Sequence, residues 1–199
     1  MEVIDYIKET IWGNWTSGGI MMVPLFALAF AIFVIAFEMI VYLKNKKISS
    51  ATENKWLDWA RNPSEVEGTE GLILRYTRPF QGHPDVVRRR FMEMREMLLG
   101  SVERKSNFLK SLVAVAPLMG LLGTVIGMLT TFRGIATSGG NQTVDLVAKG
   151  ISTALITTQT GLMIALPGLF LALIIRRRMR NIGDAINRME GMVLGQRRD

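Results

Sequence analysis

Seven threonines and a glutamine stand on two long stretches that hold no acid, base or cysteine. Ser111 to Phe132 carries Thr124, Thr130 and Thr131, and Gly150 to Ile175 carries Thr153, Thr157, Thr158, Gln159 and Thr160. Hydroxyls at hydrocarbon depth do not titrate there, but they orient water, relay a proton between carriers and hydrogen-bond a neighbouring helix. They therefore point to a polar route or a helix interface rather than to a surface facing lipid. A single threonine can satisfy itself on the carbonyl three or four residues back. So many within one ten-residue run ask for more than that.

A charge carrier is missing from both stretches. An acid at the membrane centre costs about 2.5 to 3.5 kcal/mol even on the lenient insertion scale, so one is retained only for use. Glu38 is the single acid inside an apolar segment. It lies about two turns from Lys44 and is expected to snorkel or to pair with a lysine. If protons cross through this protein, a partner must supply the titrating carboxylate.

The bilayer sets the elements that hold these residues. At about 1.5 Å per residue, 22 uncharged residues make a helix of roughly 33 Å, enough for a hydrocarbon core of about 30 Å. A third candidate, Gly19 to Leu43, is interrupted only by Glu38 and has Pro24 in its first turn, where a missing N–H costs little. It is too long for a cleaved signal and lacks a basic leader and a small-residue cleavage site. The expected class is an all-α integral membrane protein with three transmembrane helices, 19–43, 111–133 and 150–175.

Charge gives the orientation. Residues 1–18 hold one lysine and three acids, residues 44–110 hold 14 Lys/Arg against 9 Asp/Glu, and residues 176–199 hold 7 against 3. The positive-inside rule puts 1–18 and the turn 134–149 outside, and puts 44–110 and the tail 176–199 in the cytoplasm. Most of the net charge of +7 is thus topological. No basic patch interleaved with aromatics appears, so no nucleic-acid partner is expected. Trp12, Trp15 and Tyr42 flank the first span as interfacial aromatics do.

The 44–110 region reads as helices. Ser50 with Glu53 and Ser64 with Glu67 fit the S-x-x-E capping box, with stops near Asn62-Pro63 and Arg78-Pro79. After the turn Gly82-His83-Pro84-Asp85, an apolar stripe of Val87, Phe91, Met94, Leu98 and Val102 runs on into Phe108, Leu109 and the second span. One helix of roughly 48 residues, Asp85 to Arg133, is predicted. Ile182, Ile186, Met189 and Val193 put a matching stripe behind the third span. Two long helices extending into the cytoplasm as a packed stalk follow.

Within the membrane, Ala154, Thr158, Gly161, Ala165, Gly168 and Ala172 form a ridge of small residues on the third span. Gly120, Thr124, Gly127 and Thr131 repeat that spacing on the second, and Gly123 with Gly127 makes a GxxxG. Such ridges let backbones approach closely, and they predict a tight helix pair repeated in an oligomer. Thr153, Thr157 and Thr160 share a neighbouring face.

Enzyme chemistry is not expected. The chain has no cysteine and one histidine, His83, in a turn; the glycines of the second span lack a GK[ST] sequel. No catalytic residue, cofactor or metal is assigned. Asn141-Gln142-Thr143 fits a glycosylation sequon but reads better as part of the outer turn, and Arg133 at the outer lip of its span snorkels.

The run Ala116-Pro117-Leu118 through GLLGTVIGM, followed by Gly150-Ile151-Ser152, Ala154-Leu155, Thr157-Thr158, Gly161-Leu162 and Ala165-Leu166-Pro167, resembles the ExbB/TolQ/MotA family of proton-channel subunits, closest to its ExbB branch. The likeness is strongest over 108–175, and flagellar MotA proteins, larger and with four spans, fit less well. It implies a homopentamer around the membrane helices of an ExbD-like dimer. That partner is a single-span protein whose membrane aspartate takes up and releases the proton, and the motion passes to a TonB-like protein that drives outer-membrane uptake. The alternatives are a TolQ-like stator for envelope integrity, a scaffold without ion conduction, or a passive channel. The family's pore threonines correspond to Thr124 and Thr158, with Thr131, Thr153 and Thr157 as further pathway candidates. Where ExbB members often carry a glutamate this chain has Thr153, which leaves the carboxylate to the partner.

Overall fold

The computed structural model describes residues 18–45, 68–77, 83–137 and 143–195. The two capping boxes, the stops at Asn62-Pro63 and Arg78-Pro79, Trp12, Trp15, Asn141 and Gln142 lie outside the described residues.

All regular structure among the described residues is helical: α1 (Met22–Asn45), α2 (Thr69–Thr77), α3 (Pro84–Thr137) and α4 (Thr143–Gly195). Helices α1, α3 and α4 are each long and apolar enough to cross a membrane. Pro24 sits in the first turn of α1, where it removes no ladder bond. Pro84 occupies the first position of α3 for the same reason. The His83 carbonyl accepts from the amides of Val86 and Val87 at 3.0 and 3.1 Å, so the exposed His83 caps that helix through its backbone. Pro117 and Pro167 each delete one interior bond, yet α3 and α4 run through them, as membrane helices do when neighbours support the freed carbonyl.

Helix α3 is longer than the apolar pattern predicts, 54 residues against roughly 48, and α4 opens at Thr143, seven residues before the uncharged stretch. Arg133, Asp145 and Lys149 all lie inside helix. Charge bounds the apolar span, but it does not break the helix, because lysine, arginine and a first-turn aspartate are all compatible with one.

The chain divides into two units. The first comprises Met1–Ile35 with Leu109–Leu171. Its buried side chains include Leu25 and Ile32 of α1, Leu109, Val113 and Ala116 of α3, and Ala154 and Ile164 of α4. The opposite faces carry Phe26, Phe30 and Phe33, Leu118, Leu121 and Leu129, and Leu162, Leu166 and Phe170, all exposed. That is the pattern of helices whose solvent is hydrocarbon on one side and protein on the other.

The second unit comprises Ala36–Phe108 with Ala172–Asp199. Val87, Phe91, Met94, Leu98 and Val102 are all buried, as are Ile182, Ile186, Met189 and Val193. Gly183 of α4 comes within van der Waals reach of Leu99 of α3, so the two stripes belong to one core. Phe108, read as a continuation of the stripe, is 57% exposed, while Leu109 is fully buried. Seven residues from Val102 is nearly two full turns and six is not, so the buried face passes to Leu109. Helix α2 is held by Ile73, which is fully buried, and by Tyr76. The Tyr76 hydroxyl donates to Glu93 at 3.1 Å and accepts from Arg90, whose guanidinium lies 4.7 Å from the ring centroid.

Glu38 is paired. Its carboxylate takes an ion pair from Lys105 of α3, at 2.5 Å. Both side chains are about half exposed, and the partner is a residue of another helix rather than a lysine following the first span.

Candidate functional site

The second and third spans meet in the first unit through their glycines. A Cβ on Gly161 would lie 2.8 Å from the Ala116 carbonyl oxygen and 3.1 Å from the Gly120 Cα, and one on Gly120 would lie 3.0 Å from the Thr157 carbonyl. Real Cβ atoms essentially never stand 2.8 Å from backbone, so Gly161 must be glycine for this approach, and Gly120 has only a tight fit for a side chain. Gly127 faces Ala154, and Gly168 faces Val113 and Ile32. The predicted ridge is thus the packing face of α4 on α3, reaching α1 at Gly168. Ala154, Gly161 and Gly168 are buried in it, whereas Ala165 is half-buried at its margin; Ala172, also buried, belongs to the second unit.

The close approach carries a hydrogen bond between helices. Thr158 Oγ1 donates to the Gly120 carbonyl at 3.2 Å. Four other hydroxyls turn back on their own helix. Thr124 donates to Leu121 O at 2.7 Å, Thr131 to Gly127 O at 2.9 Å, Thr157 to Ala154 O at 2.8 Å and Thr160 to Ile156 O at 2.8 Å. Back-bonding therefore accounts for each of these donors one by one. What remains available is the oxygen lone pairs, which can accept from water or from a protonated acid.

Burial separates the candidates. Thr157 is fully buried and Thr131 nearly so, while Thr124, Thr153 and Thr158 are half-buried. Thr157 is the more deeply buried neighbour of Thr153 and Thr160. It fills the gap opposite Gly123, where a Cβ would stand 2.5 Å from its Oγ1. Thr131 likewise occupies the space a Gly150 side chain would need. Gly150 was not among the residues singled out by spacing, although it stands four residues before Ala154 and extends the same ridge. The Thr131–Gly150 and Thr157–Gly123 contacts make the interface broader than the single row of small residues predicts.

A cavity of about 380 Å³ opens in the same unit between the Gly18–Met21 lead-in to α1, the far end of α3 and the start of α4. Thr130, Thr131, Thr153 and Thr157 contribute to its wall, with Lys149. Thr124 and Thr158 do not, so the structure brings the candidate threonines to two different places. No spacing rule would have found this cavity, because three separate elements enclose it.

The sequence model of the MotA/TolQ/ExbB proton channel family matches residues 73–188, more than half of the chain. The chain is 38% identical to biopolymer transport protein exbB1 of Vibrio cholerae over 88 residues, which cover 40% of this chain and 39% of that protein. Identity to biopolymer transport protein ExbB of Salmonella typhimurium is 34% over 93 residues, 46% of this chain and 37% of that one. Identity to Tol-Pal system protein TolQ of Haemophilus influenzae is 44% over 68 residues, 34% of this chain and 29% of that one. The matches thus span well under two thirds of each of these relatives.

Proposed function

Because this chain belongs to the MotA/TolQ/ExbB proton channel family, we propose that it is the channel-wall subunit of an inner-membrane motor that spends the proton motive force on outer-membrane transport. Five copies enclose the membrane helices of an ExbD-like dimer. A partner aspartate carries the proton, and a TonB-like protein receives the motion. Thr124 and Thr158 line the path, and the N-terminus is periplasmic.

One observation carries this reading. The α3–α4 pair presents hydroxyl oxygens at span depth, while residues 111–132 and 150–175 contain no titratable side chain at all. A wall of this kind hydrates and orients a carrier that it does not itself provide. One charge crossing 100 mV releases about 2.3 kcal/mol and each pH unit adds about 1.4, so a few protons per step suffice for mechanical work.

Likeness to TolQ favours a second reading, a stator serving envelope integrity with the same channel chemistry. Co-purification from the native membrane tests both against a scaffold or passive channel. The motor readings require a small single-span protein with an aspartate near its membrane segment. Homogeneous rings of this chain alone, active without such a partner, overturn them.

A further inference from the structure

The cavity beside Lys149, about 380 Å³, is a half-open cleft and not an enclosed void. Gly123, Gly127 and Gly150 line it on α3 and α4, and Gly18 and Gly19 line it on the lead-in to α1. Gly19 has φ +66 and lies where a Cβ would be 3.3 Å from Thr153, so the lead-in is bent to close over this space.

Its walls choose the occupant. Ile20, Met21, Ile126 and Leu146 are hydrocarbon. The hydroxyls of Thr130, Thr131 and Thr157 already donate to the carbonyls of Ile126, Gly127 and Ala154. A water cluster needs two to four polar partners for each molecule, and this wall supplies few. A hydrocarbon chain needs none. At the same site stands one cation, Lys149, which is exposed and makes no ion pair among the described residues. Among the described residues no carboxylate lines the cavity, and Asp145, one turn before Lys149, makes no ion pair with it. Lys149 directly precedes the uncharged stretch that opens at Gly150, so its ammonium falls at the level of lipid phosphates.

We propose that this cavity is a lipid site, with one acyl chain of an anionic phospholipid against the apolar wall and its phosphate on Lys149. A phosphatidylglycerol headgroup fits better than phosphatidylcholine, which brings a cation of its own against the lysine. The inference requires only a membrane protein and stands apart from the motor reading, whose failure would leave it untouched.

Native mass spectrometry of the full chain, with its partners where they co-purify, tests it using phosphatidylglycerol and phosphatidylcholine of identical chains. Phosphatidylglycerol is expected to bind about fivefold more tightly, the scale of one lysine near a lipid surface. Lys149→Gln abolishes that preference. Lys149→Arg, which keeps the charge, retains it. Ile126→Trp, filling the apolar wall, weakens both lipids. Equal binding of the two lipids by the wild-type protein, a preference that survives Lys149→Gln, or no retained lipid overturns the site. If inorganic phosphate competes as well as the lipid does, the ligand is a free anion and the acyl-chain assignment fails. Should Ile126→Trp not fold, the two Lys149 variants decide alone.

Discussion

Thr158 of α4 donates its hydroxyl to the backbone carbonyl of Gly120 on α3, one turn from the place where Gly161 meets the backbone of Ala116 and Gly120. A candidate channel residue is thus also a fastening between the two spans. Hydrogen bonds between membrane helices average only about 0.6 kcal/mol, because the separated helices find other partners. Thr158→Val keeps the shape and should leave assembly intact, with a stability loss of about 0.6 kcal/mol. Proton-driven transport should be abolished, and Thr158→Ser should restore it. Uptake assays beside size-exclusion profiles check this, and full transport by the valine variant would remove Thr158 from the pathway.

Gly161 has no room for a methyl group. The atoms a Cβ would strike are the Ala116 carbonyl and the Gly120 Cα, both backbone, so relief requires the helices to move apart. Gly161→Ala is expected to destabilise by about 1 to 3 kcal/mol, the usual cost of overpacking. Gly191, in the same helix, has nothing within 4 Å of its would-be Cβ. Gly191→Ala should be neutral or stabilise by about 0.5 to 1 kcal/mol, because alanine is the better helix former. Thermal unfolding in one detergent separates the two, and equal effects would refute the close-approach account.

Much of this arrangement was legible in residue spacing, and the exceptions share a cause. The stripes at Val87–Val102 and Ile182–Val193 read correctly because period alone decides which side of a long helix is buried. The glycine ridge read correctly because small residues at intervals of four and three have no other common use in a span. Thr157 is more buried than the same arithmetic suggests. It lies 100° round the helix from Thr158, but where backbones approach this closely the contact arc takes in both. Hydroxyl directions were not legible at all, since the choice between Gly120 and an intrahelical carbonyl depends on what stands opposite. The partner of Glu38 was hidden similarly, for Lys105 is 67 residues away in sequence.

The Glu38–Lys105 pair gives a third test. Both side chains are about half exposed, so the pair is worth on the order of 0.2 to 1 kcal/mol by itself. Lys105→Ala leaves a carboxylate on an otherwise apolar helix, whereas Glu38→Gln removes the charge that needs an answer. A double-mutant cycle should show coupling, with Lys105→Ala milder in the Glu38→Gln background than alone. Additive effects would mean that the contact contributes nothing to stability.

Helix α2 is joined to α3 by a polar contact that can be removed by itself. Ile73 is its buried anchor, and Tyr76 joins it to α3 through Glu93 and through the Arg90 guanidinium lying over the ring. A cation–π contact of this kind is worth about 0.5 to 1 kcal/mol and a hydrogen bond a comparable amount. Arg90→Ala should therefore release α2 by about 1 to 2 kcal/mol, which speeds amide exchange over 69–77 by roughly 5 to 30-fold. The Val87–Val102 core, buried independently, should exchange as before. Tyr76→Phe keeps the ring and loses only the hydroxyl, so its effect should fall between wild type and Arg90→Ala. Unchanged exchange over 69–77 in Arg90→Ala would show that the Arg90–Tyr76 contact does not hold the helix.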